Sequence, residues 1–233
     1  MDRLAGMTEP AYCRPAAYRL FQEQLPVVET GAGLFCAAFA VALHERPEAN
    51  WAEVETIVEN LSDTIARRVR SRTTSALLAH LHDVLFDVLG LRGNVDDYYD
   101  PANSYLPDVL RTRQGLPITL VLIYKRVAEP LGLIVHGVNA PGHFLAEVVD
   151  PAGESTYIDP FFGGGVLTKA EIFERIEQAT GREVVLTPQL LTRATHRQWL
   201  GRMLNNLQAA FAAHGQDRDV YAMQELQSLL TAK

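Results

Sequence analysis

The sequence is poor in cysteine: Cys13 and Cys36 are the two thiols among 233 residues. Two cysteines build neither a disulfide framework nor a zinc site, and they suit a reducing, cytoplasmic setting. A long apolar run is also missing. The longest, Gly31 to Leu43, falls short of the ~20 residues that a membrane-spanning helix needs. It starts late and follows Glu29 instead of a basic segment, so it reads as a buried helix rather than a signal or anchor. Nor is there an excess of positive charge. Lys and Arg total 21 against 28 Asp and Glu, a net charge of −7, which argues against general attraction to nucleic acid or anionic membrane. Low-complexity tracts and tandem repeats are absent too, which leaves an ordinary folded domain.

What is there has globular composition, 48% hydrophobic and 21% charged, in a chain long enough to fold without a metal or disulfide staple. The first third is helical in pattern. Val54, Ile57, Val58, Leu61 and Ile65 follow amphipathic spacing, with Asn50 as N-cap. Leu77, Leu78, Leu81, Leu85, Val88 and Leu89 repeat it, with Ser71 or Thr73 as N-cap and Gly90 as the stop. The character changes near Gly93, where Asn94 to Tyr105 is polar, aromatic and rich in turn residues. A helix follows with Leu120, Ile123, Tyr124, Val127 and Leu131 on one face and Pro117 in its first turn. Three β-type runs come next: Ile134 to Val138, His143 to Val149 and Thr156 to Ile158. The last two flank Asp150-Pro-Ala-Gly and pair as a hairpin. Helical spacing returns from Thr168 to about Thr180. Two final helices carry Trp199, Met203, Leu204, Leu207 and Phe211, then Val220, Met223, Leu226 and Leu230, with Gly215 between them.

Three local clusters look chemical but read as structure. His80 and His82 are two apart, so on a helix they diverge and cannot grip one metal. Arg67, Arg68, Arg70 and Arg72 crowd a helix end, where cations suit the dipole, with no interleaved aromatics for stacking on bases. Asp96, Asp97 and Asp100 lack the glycine and distal Glu of a calcium loop. No metal and no cofactor are expected.

The middle of the chain differs. Gly115 to Thr119 opens a helix, Pro141-Gly-His143 opens a strand, and Tyr157-Ile-Asp159 closes the next strand. If the hairpin turns near Pro151, His143 and Asp159 come within two or three residues of being cross-strand neighbours. A carboxylate beside an imidazole fixes its tautomer and stabilises its charged form, as in a nucleophile–His–Asp arrangement. The third member would sit at a helix N-terminus, where the dipole activates a thiol.

These segments resemble a known family. The run from Leu91 to Leu106 (LRGNVDDYYDPANSYL) is similar to the signature of the bacterial SirB-one proteins, whose domain is transglutaminase-like; a related segment occurs in an F-box ubiquitin-ligase adaptor of animals. Arg113 to Leu120, Pro141 to Leu145 and Ile158 to Gly164 match its later motifs in order. The resemblance implies an α+β fold. Its transglutaminase-like, papain-like core sets a central helix against a small antiparallel sheet, with an N-terminal helical region and a C-terminal helix pair. The implied segments are 1–92 (helical), 93–168 (core with the cleft) and 169–233 (C-terminal helices). The last corresponds to a tetratricopeptide-like tail, degenerate here: Asp217 stands where an aromatic is usual and Val220 where a small residue is usual. One helix pair cannot form the groove that several repeats make.

Active transglutaminase-like enzymes place their thiol at the helix start in a Gly-x-Cys motif; matching Gly115 to that glycine puts Pro117 at the cysteine's position, so the resemblance makes His143 and Asp159 look like a triad whose cysteine is gone. Thr119, Cys36 and Cys13 are poor substitutes: a weak hydroxyl aimed elsewhere, a thiol among apolar neighbours, and a thiol near the N-terminus. The expected function is a non-catalytic binding or regulatory module. Its cleft is bordered by Gly115, Thr119, His143, Asp159 and a loop offering Tyr98, Tyr99, Asn103 and Tyr105 to a protein or peptide partner. The alternative is a peptidase, amidase or acyltransferase with a non-standard nucleophile; a helical interaction scaffold ranks third.

Overall fold

The computed structural model describes residues 9–181 and 188–231, so the outer ends of the first and third predicted segments lie outside the described residues. Four helices come first: α1 (Pro15–Gln24), α2 (Gly31–Ala42), α3 (Trp51–Arg68) and α4 (Thr74–His82). A short parallel pair, β1 (Arg92–Gly93) with β2 (Gln114–Gly115), brackets α5 (Leu106–Thr112). Next is α6 (Pro117–Ala128). The antiparallel sheet β3 (Ile134–Ala140), β4 (His143–Val149), β5 (Ser155–Asp159) and β6 (Gly165–Leu167) follows in that spatial order. Three helices close the chain: α7 (Lys169–Thr180), α8 (His196–Ala213) and α9 (Asp217–Thr231). Among the described residues no helix is long and apolar enough to cross a membrane.

The expected N-caps act as such. Thr30 accepts from Gly33 N–H, Asn50 from Ala52 and Thr73 from Ala76, each satisfying an orphan amide of a first turn. Two predicted faces shift. On α3 the buried stripe runs through Val54, Val58, Ser62 and Ile65, and Ile57 is 42% exposed. Ser62 takes the buried place because its hydroxyl donates to Val58 O and, across to α6, to Val127 O at 3.0 Å. Beyond α4 the chain widens into a π-helical turn over Asp83–Val88. That extra residue rotates the apolar stripe, so Val84, Leu85 and Phe86 are buried while Val88, expected inside, is 62% exposed.

The centre of the molecule is α6, buried along its whole length except Arg126. It packs against α2, α3, α5, the sheet and α8. Trp199 on α8 is fully buried, donates Nε1–H to Ile118 O at 3.2 Å and lies 4.7 Å from the Phe144 ring. Helices α8 and α9 therefore share one core with the N-terminal helices, whereas Ile172 and Ile176 of α7 pack in a second cluster with Val138, Leu145 and Leu167. The segment before α1 is held across α9 by Glu225, whose carboxylate accepts the successive N–H groups of Ala11, Tyr12 and Cys13.

A buried carboxylate fixes the segment that enters α8. Arg193 forks onto Glu147 of β4 at 2.5 and 3.1 Å, and Ser155 Oγ donates to it at 2.6 Å. Burial raises the Glu147 carboxyl, but these hydrogen bonds outweigh it and hold the group below its ordinary 4.5. A depressed folded value means the stabilisation is complete above 4.5 and is lost as pH falls through the folded value. Glu147→Gln is expected to cost about 1–3 kcal/mol at pH 7. The gap to the parent protein should narrow below pH 4.5 in urea unfolding.

Candidate functional site

His143 opens β4 and Asp159 closes β5. The pairing Ala146–Ile158, extended by one residue, sets Asp159 opposite Leu145; His143 lies two residues further along, on the same face. This diagonal brings His143 Nε2 to 2.9 Å from Asp159 Oδ2. Asp159 is wholly buried. Its carboxylate also accepts from Phe161 N–H at 3.1 Å and from Arg175 Nη1 of α7. A carboxylate paired with a guanidinium only accepts, so Nε2–H of His143 donates and Nδ1 carries the lone pair of the neutral ring. Nδ1 has no hydrogen-bond partner among the described residues.

His143 stands in the wall of a cavity of about 520 Å³. Pro117, at the N-terminus of α6, forms another part of that wall. Beside them runs a file of aromatic rings, each close to edge-on to the next: Tyr99, Tyr98, Phe161 and Phe162, with centroids 5.5, 6.0 and 5.1 Å apart. Phe161 can sit here because Gly93 has no side chain; a Cβ there would lie 2.4 Å from the ring. Arg175 lies over the Phe162 ring, 4.7 Å from its centroid. Both Tyr99 (63%) and Phe162 (56%) are largely exposed.

Of the residues expected at the cleft, Tyr98, Tyr99, Pro117 and His143 line the cavity, with Asp159 behind His143. The remaining four are buried away from its wall. Asn103 is the loop's internal brace: its amide donates to Asp97 O and Tyr98 O and accepts from Asn94. Tyr105 packs under the Arg46 guanidinium, and burial, then the Glu45 charge, push its phenol up. Gly115 faces Val109 in β2, and Thr119 turns into the core, fully buried, its hydroxyl without a partner among the described residues. A hydroxyl enclosed in this way cannot reach a cleft ligand. Sequence reasoning missed Arg175, Gln178 and the aromatic roles of Phe161 and Phe162. The two phenylalanines adjoin Asp159 in the chain and could have been found; Arg175 gives no local signal.

Among the described residues no cysteine lines the cavity. Burial, then the charges of Glu55 and Glu23, push the Cys36 thiol up to about 11; burial, then Glu225, push Cys13 up to about 12. Both shifts favour the protonated, less nucleophilic thiol at neutral pH. Elsewhere His44, Glu45 and Asp219 offer ligand atoms within 4.8 Å of one another. Arg14 N–H donates into His44 Nδ1, however, so Nε2 carries the proton to Asp219 and the ring has no free lone pair for a metal.

A buried central helix set against an antiparallel sheet, with His and Asp on adjacent strands facing the helix N-terminus, defines a transglutaminase-like architecture. The transglutaminase-like superfamily pattern matches residues 52–205, and the chain belongs to that superfamily. It is similar to a UPF0162 protein of Xylella fastidiosa (strain 9a5c), 36% identical over 195 residues that make up 82% of this chain and 66% of the relative. A UPF0162 protein of Vibrio cholerae is 23% identical over 169 residues, 72% of this chain and 62% of its own. The F-box only protein 21 of Homo sapiens is 33% identical over 165 residues, 68% of this chain and 25% of that protein. The chain thus spans less than two thirds of the length of each of these relatives. No solved structure matches it.

Proposed function

We propose that the chain is a binding or regulatory member of its superfamily, one that grips a peptide segment of a partner without cysteine chemistry. Its four ordered motifs support a place among the SirB-one proteins. The observation that carries the functional reading is Pro117 in the cavity wall, at the helix start where a cysteine would face His143. The His143–Asp159–Arg175 cluster then serves as a rigid, pre-oriented hydrogen-bonding wall, with Nδ1 free to accept an N–H or O–H from the bound segment. The exposed aromatic file supplies flat contact area at low entropic cost.

A display selection from a random dodecapeptide library against the immobilised protein tests this. Binders should lose about tenfold or more in affinity with Phe162→Ala and several-fold with His143→Ala. Binders indifferent to both variants would reject a functional cleft. The second reading has one specific support, the same free Nδ1. A lone pair on a cavity-lining imidazole can act as a general base on a bound ligand's own nucleophile.

A further inference from the structure

We infer that the peptide gripped by this cleft is cationic: a bulky apolar anchor residue flanked within two or three positions by Lys or Arg. The inference rests on the cleft reading above and adds the chemistry of the occupant. The anchor follows from the walls. Val95, Tyr98, Tyr99 and Phe162 are all exposed large apolar side chains, and all line one cavity. Apolar surface gathered in a concavity rather than scattered marks a contact site.

The charge follows from the rim. Asp96 and Asp97 are exposed, adjoin Val95 and Tyr98 in the loop, and have no ion-pair partner among the described residues. Glu174, also exposed and without an ion-pair partner among the described residues, lies one turn from the cavity residue Gln178 on the same face of α7. Of the two cations nearest these walls, one is neutralised and the other does not line the cavity. Arg175 is paired with buried Asp159, and Arg202, whose charge acts on Tyr98, donates to Asn139 Oδ1 and Ala140 O. The residues adjoining this apolar floor therefore carry three exposed carboxylates that have no ion-pair partner among the described residues. A segment that seats one apolar side chain and reaches the rim with basic ones complements both; an acidic segment would meet like charge at three points.

The same display selection, followed by fluorescence polarisation with the enriched peptides, decides the matter. Enriched sequences should pair an aromatic or long aliphatic residue with nearby Lys or Arg. The double variant Asp96→Asn/Asp97→Asn should weaken binding about three- to tenfold, and raising NaCl from about 50 to 300 mM should weaken it further. Both carboxylates are exposed, so the double variant should fold as the parent does, with thermal unfolding as the control. Phe162-dependent peptides that are neutral or acidic, or basic ones insensitive to the double variant and to salt, would overturn the cationic assignment and leave the cleft reading standing. Absence of any Phe162-dependent peptide would overturn both.

Discussion

Replacing Pro117 by cysteine is expected to give a thiol that iodoacetamide modifies at pH 7 about tenfold to a hundredfold faster than Cys36. Position 117 opens α6, where the helix dipole favours a thiolate, and it shares its cavity with His143, whose Nδ1 is unengaged among the described residues. Cys36 is the natural internal control, being held near 11 by burial and by Glu55 and Glu23. The enhancement should vanish in Pro117→Cys/His143→Ala and fall in Pro117→Cys/Asp159→Asn, where the imidazole loses its orienting carboxylate. Proline at a first helical position contributes through a preset φ and a missing donor, so its loss should cost at most about 1 kcal/mol. Peptide mapping by mass spectrometry reads the rates directly. If the thiol introduced by Pro117→Cys reacted no faster than Cys36, the wall beside His143 would not be a vacated nucleophile position.

The largest loss of stability is expected from Trp199→Ala, about 3–5 kcal/mol in urea unfolding. Trp199 is fully buried, anchors α8 to α6 through its bond to Ile118 O, and packs near Phe144 on the sheet. Gly137 on β3 leaves the space: a Cβ there would lie 2.4 Å from the indole and 2.7 Å from Phe144. Gly137→Ala should therefore also destabilise, through overpacking, by about 1–3 kcal/mol. Both variants should unfold in a single transition, because the core they damage is continuous from Cys13 to Leu226. A C-terminal helix pair that melts separately, leaving the rest intact, would contradict this.

How far the sequence could be read depended on range. Caps and apolar stripes are local, so Asn50, Thr73 and the buried faces of α8 and α9 were legible. The hairpin was legible from its turn, and with it the approach of His143 to Asp159, since pairing near register and a period of two place both on one face. Beyond that range the spacing misled. Nothing in Leu85 to Leu89 announces a π-helical turn, within which Phe86 stacks on Tyr124 and Gly164 leaves room for its ring. Strand β6 is three residues long and exists only as a partner for β5. Tyr105 and Asn103 sit in a segment that reads as surface loop, yet they brace it from within; Arg175 arrives from a helix that follows the motif region. Sequence spacing shows which residue types a segment carries but not which way a loop folds over them.

Whether His143 and Asp159 operate without a nucleophile of this chain is decided by a panel of hydroxyl- and thiol-reactive probes. Intact-protein and peptide mass spectrometry would read the parent protein beside His143→Ala. The parent should carry no adduct that His143→Ala abolishes. The enriched cleft-binding peptides should also be recovered with unchanged mass after prolonged incubation. An adduct on Thr119 or Cys36 that requires His143, or His143-dependent cleavage or acyl transfer on a bound peptide, would contradict the reading of a triad without its nucleophile.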